Sequence, residues 1–404
     1  MFGKRSPGHA QPRLAMLVSL AVLTAAACQP DPGAPPAPPP TTVLPTTVAK
    51  PAPVPTAQGT ESAQRTATAA PPAVANPYLA RPGEALTPMK VVWCAISGGF
   101  MHLYAARDAK LFGKYGLDAQ ASLVRGSDVA LAALQAGEAD FVFCAAEATI
   151  PGMAAGADGV LIGAPLVGLP YVLVGPPELT SLQDLKGKSV GINRPGDLDD
   201  RLTRAILSYA GIPATDVTLR PSGQQTERYQ ALVMKAVDAI TVTPPLEVQA
   251  RKDGFHVVFE LKALPIPFIY SALHTNRKTL RERPELVQRF MAAIAESIYY
   301  AEANKAETER ALANELKLED AEALESAYKA YAQDYVNRGM DISLTAVQDS
   351  IEYARQQGTK IQYGKAEEFV DNSFVNQLRE SGFLAALWGR PIPAPAEPTR
   401  APGR

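Results

Sequence analysis

The chain has few cysteines, no surplus of charge of either sign and no apolar run long enough to stay in a membrane, and each shortage removes a class of protein. Its three cysteines, Cys28, Cys94 and Cys144, include no pair at Cys-x-x-Cys spacing, so they read as neither a disulfide framework nor a metal cluster. Lys plus Arg number 39 against 41 for Asp plus Glu, and a formal charge of -2 offers no field to gather phosphate backbones, which argues against nucleic acid as a partner. The four histidines, His9, His102, His256 and His274, show no metal-ligand spacing. No Gly-x-Ser-x-Gly elbow and no phosphate-binding Gly-Lys-Ser/Thr loop occurs. No metal, cofactor or catalytic residue is therefore expected. The uncharged run Leu14 to Ala27 is shorter than the roughly 20 residues a helix needs to cross a bilayer.

What is abundant is proline, and 36 of them are too many for one compact fold. They gather towards the two ends. The start carries Lys4, Arg5 and Arg13, then the apolar run, then small residues directly before Cys28, which is the layout of a secretory signal. Ala25-Ala26-Ala27-Cys28 resembles the cleavage site of bacterial lipoproteins, whose cysteine is acylated and becomes the first mature residue. Residues 1–27 are thus expected to be a signal peptide and Cys28 a lipid anchor outside the cell membrane. From residue 28 to 88 the composition is Pro, Ala and Thr with hardly any large apolar side chain, which predicts an extended tether. Residues 391–404 read as a loose Pro-rich tail.

Between the two ends strand and helix signals alternate. Lys90 to Ile96 reads as a buried strand, and Ser97-Gly98-Gly99 as a turn. A helical pattern follows through Phe100, Leu103, Tyr104, Leu111 and Phe112 to a stop at Gly116. A helix capped by Ser127 stops at Gly137 before a strand Asp140 to Phe143. The same succession recurs over Ser189 to Gly211. Alternation of this kind predicts parallel sheets covered by helices. The two stretches also superpose at one offset, since Leu134 and Leu232, Asp140 and Asp238, and Gly156 and Gly254 each lie 98 apart (232−134, 238−140, 254−156). Two similar lobes are expected, with a cleft between the loops at the carboxyl ends of their strands. The offset pairs Ser97–Phe100 with Pro195–Leu198, Arg125–Ser127 with Gly223–Gln225, and Ala145–Glu147 with Thr243–Pro245.

Several motifs carry a family resemblance: Leu111-Phe112-x-x-Tyr115-Gly116-Leu117, Ala136-Gly137-Glu138-Ala139-Asp140-Phe141, Asp184-Leu185-Lys186-Gly187-Lys188-x-Val190-Gly191 and Val237-Asp238-Ala239. Together they resemble the nitrate, sulfonate, taurine and thiamine-precursor binding proteins of bacterial ABC importers. The resemblance implies a two-lobe type II periplasmic binding protein, each lobe a mainly parallel sheet flanked by helices. Lobe one would begin at 89–170, lobe two would be 171–263, and 264–390 would return to lobe one with extra C-terminal helices packed on it. It also implies a monomer that hands a small molecule to an ABC permease and its ATPase. A sensory receptor domain and, more remotely, an enzyme like the thiamine-pyrimidine synthase are the alternatives; the Cys-rich motif of that enzyme is absent here.

Each candidate binding residue also has a plainer reading. In the first loop Ser97, Gly98 and Gly99 bring backbone amides to a ligand, or simply allow a tight turn. Phe100 and Tyr104 stack on a ring or fill the core. Arg125 pairs with an acidic ligand or is solvated, Ser127 caps its helix, and Glu147 binds an amine or is an exposed first-turn acid. In lobe two, Asn193, Pro195, Gly196 and Asp197 match the loop that the family turns towards ligand, while Asp197, Asp199 and Asp200 also suit a helix N-terminus. Gln225 and Arg228 stand at the third loop, and Thr243 and Pro244 at the fourth. So many acids oppose an anion and favour a neutral or amine-bearing, pyrimidine-like ligand. Cys94 and Cys144, within or beside apolar strands, read as small buried hydrophobes.

Overall fold

A computed structural model describes residues 76–395. The expected signal peptide, Cys28 and most of the tether lie outside the described residues. Ten strands are present among them: β1 (Thr87–Trp93), β2 (Leu117–Leu123), β3 (Phe141–Cys144), β4 (Val160–Val167), β5 (Val172–Gly175), β6 (Ser189–Ile192), β7 (Thr218–Pro221), β8 (Ala239–Val242), β9 (His256–Glu260) and β10 (Ile269–Thr275). They form two five-stranded sheets, ordered β2-β1-β3-β10-β4 and β7-β6-β8-β5-β9. In the first sheet β1 runs parallel to β2 and β3, and β10 runs antiparallel to β3 and β4. The second repeats this, with β6 parallel to β7 and β8 and with β5 antiparallel to β8 and β9. The reversed strand of each sheet is thus the first one laid down after the chain changes lobes. The central strands β3 and β8 are buried at every position, as expected of strands covered on both faces.

The duplication has a physical cause at its matched aspartates. The Asp140 amide donates to Lys90 O at 2.9 Å, and its carboxylate accepts the Lys90 amide at 2.8 Å. In lobe two Asp238 does the same to Ser189, at 2.9 and 2.7 Å. The nine-residue helices Ser127–Gln135 and Gln225–Val233 keep the offset without error (225−127). Strand β6 does not: Val91 faces Phe141 in lobe one, but Val190, not Ser189, faces Ala239 in lobe two. The first strand has therefore slid by one residue between the lobes.

Lobe one is built around Phe290 of the long helix Pro284–Ala303, whose ring stacks on Phe141 at 3.9 Å between centroids and on Phe112 at 6.1 Å. Helices Leu344–Gln356, Ser373–Glu380 and Phe383–Trp388 also pack on this lobe. Helix Ala321–Tyr328 reaches across to lobe two as well, where Lys252 pairs with Asp320 and Glu322 and Ser326 donates to Glu247.

Four expectations need correcting. The folded part begins before residue 89: the Asn76 amide donates to Tyr115 Oη at 3.1 Å, Tyr78 packs edge-on against Phe383, and Glu84 pairs with Arg289 at 2.7 Å. The tail is held at least to Ile392, whose carbonyl accepts from Arg379 at 3.0 Å. The helix over 101–114 is interrupted at Lys110, where φ is 56°, and becomes Met101–Asp108 and Leu111–Lys114. Cys94 and Cys144 are joined in a disulfide, because neighbouring parallel strands place their Cα atoms 5.6 Å apart.

Two consequences can be measured. A chain beginning at Asn76 should melt as the longer protein does, whereas one beginning at Thr87 loses the Tyr78 and Glu84 contacts and should melt several degrees lower; equal melting temperatures would refute the revised boundary. The second concerns two fully buried histidines. His274 holds Val142 O at 3.2 Å and Thr149 Oγ1 at 2.7 Å, a pattern the neutral ring satisfies by donating to the carbonyl and accepting the hydroxyl. Burial lowers its pKa to about 4, and lowers that of His102, which has no hydrogen-bond partner, to about 3. Below the unfolded value of 6.5 the unfolded chain takes up protons that the native state refuses, so stability falls as pH falls from 6.5 towards 4. At pH 5 each ring costs about 2 kcal/mol. Urea titrations of His102→Leu should show about 2 kcal/mol less loss between pH 7 and 5 than the parent.

Candidate functional site

Two of the loops named from the sequence touch the opposite lobe, through Glu147 on Arg201 and through the Pro244 carbonyl on Tyr331. After β1, Ser97 turns its Oγ back to the Gly99 amide at 3.1 Å and stands 3.4 Å from Tyr270 Oη. The glycines at 98 and 99 are required by rings of this same protein. A Cβ on Gly98 would lie 2.4 Å from the Tyr331 ring, and one on Gly99 would lie 2.5 Å from Tyr270. Tyr270 and Tyr331 stack at 5.8 Å, Tyr171 meets Tyr270 edge-on at 5.8 Å, and Tyr331 donates across to Pro244 O of lobe two at 2.8 Å. Burial pushes the Tyr171 and Tyr331 hydroxyls well above the ordinary phenol range, so both remain neutral hydroxyls.

Phe100, Tyr104 and Arg125 take the plainer of their two readings, and Ser127 and Glu147 take neither. Phe100 is buried against Phe143 at 5.5 Å, and Tyr104 is fully buried, edge-on to Trp93 and donating to Ser97 O at 3.1 Å. Ser127 is the first helical residue, and the cap position falls on Gly126, where φ is 110° and the Ser127 side chain caps nothing. Arg125 is exposed. Glu147 is neither exposed nor open to an amine: it is buried and bonded to Arg201 of lobe two and to Ser350. Desolvation raises its pKa, against the pull of Arg201 and Ser350.

In lobe two, Asp197 receives the Asn193 amide and the Arg194 guanidinium, the latter at 3.0 Å. Pro195 and Gly196 are exposed, and the Gly196 amide donates to Asp200 at 2.7 Å. Arg228 is buried and committed, with a 2.8 Å ion pair to Asp199 and a bond to Gly223 O at 3.1 Å. Desolvation raises the Asp199 pKa while Arg228 and Thr241 oppose it. Gln225 Oε1 accepts both the amide and the hydroxyl of Thr243 at 3.2 Å, bracing the fourth loop. Glu147 and Asp199 each carry their own cation, whereas Glu247, buried at the start of helix Leu246–Lys252, is held by the Ser326 hydroxyl on one oxygen. Among the described residues no group of three or more metal-ligating side chains converges, and no helix is long and apolar enough to cross a membrane.

Sequence reasoning missed Tyr171, Tyr270, Tyr331 and Arg201. The first two sit on the segments by which the chain changes lobes, a position the internal offset does not mark. Tyr331 lies in the π-helical turn Lys329–Asp334, a rare geometry often associated with functional sites. A cavity of about 450 Å³ also lies beside the crossings, lined by Val167, Gly168, Phe268, Asn337 and Asn372 among others, and none of the predicted loops reaches it.

A family model described as NMT1/THI5 like matches residues 98–308, just over half of the chain. The chain belongs to that family. A relative from Brucella abortus (strain 2308), named as a binding protein, is 27% identical over 238 residues, covering 58% of this chain and 73% of its own. Among solved structures, the periplasmic aliphatic sulphonate binding protein SsuA of Escherichia coli aligns with a TM-score of 0.61 at 16% identity, over 78% of this chain and 97% of its own. The alkanesulfonate-binding protein SsuA of Xanthomonas axonopodis pv. citri, bound to MOPS, aligns with a TM-score of 0.57 at 19% identity, over 71% and 99%. The fold is that of the periplasmic binding proteins. The NMT1/THI5-like match opens at Gly98 and closes in helix Lys305–Leu316, so Tyr331 and Ser350, which complete the cleft, lie beyond it.

The glycine contacts make a prediction. Gly98→Ala and Gly99→Ala should each displace a tyrosine and cost about 1–3 kcal/mol, the usual range for overpacking. Tyr331→Ala should relieve the Gly98→Ala penalty but leave that of Gly99→Ala unchanged, as read from melting of the double variants.

Proposed function

We propose that this protein is an extracytoplasmic solute-binding protein that closes its two lobes on a small uncharged organic molecule and delivers it to an ABC importer. The observation that carries the reading is the pair of like lobes, joined by two crossings and presenting equivalent loops to each other. Family membership and the binding-protein relative support it. The site residues proposed to meet solute are Ser97, Tyr171, Tyr270 and Thr243, with Asn193 and Gln225 at the rim. Permease and ATPase are the proposed partners, and acylated Cys28 is the proposed membrane anchor.

The charge of the solute follows from pairing. A sulfonate, of the kind named for the Escherichia coli and Xanthomonas structures, would need a free buried cation, but Arg201 and Arg228 already face carboxylates. Glu147 and Asp199 face those same arginines and are closed to an amine, and Glu247 is turned to the Ser326 hydroxyl. What remains is hydroxyl, amide and aromatic surface, suited to a neutral polar ring of the pyrimidine type.

A thermal-shift series with uracil, cytosine, an alkylamine and an alkanesulfonate tests this, because a solute that binds the native state raises its melting temperature. The neutral pyrimidines should raise it and the ionic probes should not. Thr243→Val and Ser97→Ala should each weaken the pyrimidine by roughly tenfold, about 1.4 kcal/mol. A shift produced by the sulfonate alone would overturn the neutral assignment. Binding unaffected by either substitution would move the site out of the cleft.

A further inference from the structure

We infer that Arg201 is an ionic lock that closes the two lobes on each other without any solute. Arg201 belongs to helix Leu198–Tyr209 of lobe two, yet its guanidinium is buried, with 8% of the side chain exposed, among groups that all belong to lobe one. It donates to Glu147, which itself has only 3% of its side chain exposed, to Ser350 Oγ at 3.0 Å and to Asp349 at 2.6 Å. Its flat face lies 4.7 Å from the centre of the Tyr353 ring. Ser350 closes the set by donating to the same Glu147 oxygen.

The comparison that matters is between closed and open lobes. Opening returns Arg201 and Glu147 to water, and closing strips water from both. Such a pair is favoured only where hydrogen bonds replace the lost hydration, and this one is bonded on both nitrogens of the fork, stacked on an aromatic face and completed by a hydroxyl. No part of it waits for a ligand. The lock sits beside the proposed solute contacts and shares none of them, so closure and solute recognition are carried by separate residues. A solute then enters by competing with a closed state, and its affinity is reduced by the fraction of molecules that are shut.

The test needs no solute. Spin labels carried on non-canonical amino acids at positions 129 and 226, exposed sites on the two rims, report the distance between the lobes in the full-length protein with its native cysteines intact. The parent should give one short, narrow distance without solute, and Arg201→Ala should shift it to longer, broader distances. Glu147→Gln, a change in the opposite lobe, should lengthen it too, and serves in place of Arg201→Ala should that variant fail to melt cooperatively. Arg204→Ala, one turn further along the same helix and paired with Asp200 inside lobe two, should leave the distance unchanged. A long distance in the parent overturns the inference. So does an unchanged short distance in the folded Arg201 and Glu147 variants, or equal lengthening in Arg204→Ala. Because no solute enters the measurement, the lock can fail while the pyrimidine reading stands, and the reverse.

Discussion

The first sheet cannot be finished until the second has been made. Its fourth strand in space, β10, is buried at all seven positions between β3 and β4, and the chain reaches it only after threading all of lobe two. The seam left by its absence would expose the edges of two apolar strands, a cost no surface loop could cover. Each lobe therefore borrows a strand laid down on crossing from the other, and the crossings must lie side by side. That adjacency places Tyr171 and Tyr270, one on each crossing, in edge contact. It also sets the two families of loops face to face.

Much of this was legible in the sequence because it rests on local signals. Glycines at 137 and 211 end helices in the left-handed conformation, at φ of 72° and 67°, where a side chain would be strained. The alternation of strand and helix gave the layer order, and the Asp140 and Asp238 match marked a clamp onto β1 in one lobe and β6 in the other. The site was less legible. Loops could be named, but the partner of each side chain comes from elsewhere in the chain: Glu147 meets Arg201 54 positions away, and Gly98 needs its hydrogen because of Tyr331. Phe100 was ambiguous because an apolar residue at a helix mouth has the same pattern whether it faces a core or a ligand. The tether boundary was misplaced for a related reason, since Asn76 and Tyr78 are isolated anchors in a Pro-rich text.

Charge in the cleft is abundant and almost entirely spent within the protein. Counting acids alone favours a cationic or neutral solute, and the pairing of Glu147, Asp199 and Asp197 with Arg201, Arg228 and Arg194 is what the proposal of a neutral one rests on. Two of these pairs are buried, and removing one member of a buried pair costs about 3–5 kcal/mol because the other is left uncompensated. Asp199 is therefore better understood as the counter-charge that lets Arg228 be buried than as a recognition group, while Asp197 and Asp200 pair with the more exposed Arg194 and Arg204.

The disulfide divides the labour between the jaws. Cys94 directly follows β1 and Cys144 ends β3, and the segments that leave them carry Ser97 and Glu147, so both lobe-one loops start from one covalent knot. Closing 50 residues, it removes roughly 4 kcal/mol of chain entropy from the unfolded state. At the matching positions lobe two has Ile192 and Val242, which can only touch. The lobe-one rim is thus an anvil whose shape is set when the thiols are oxidised. Lobe two has no such covalent tie among the described residues.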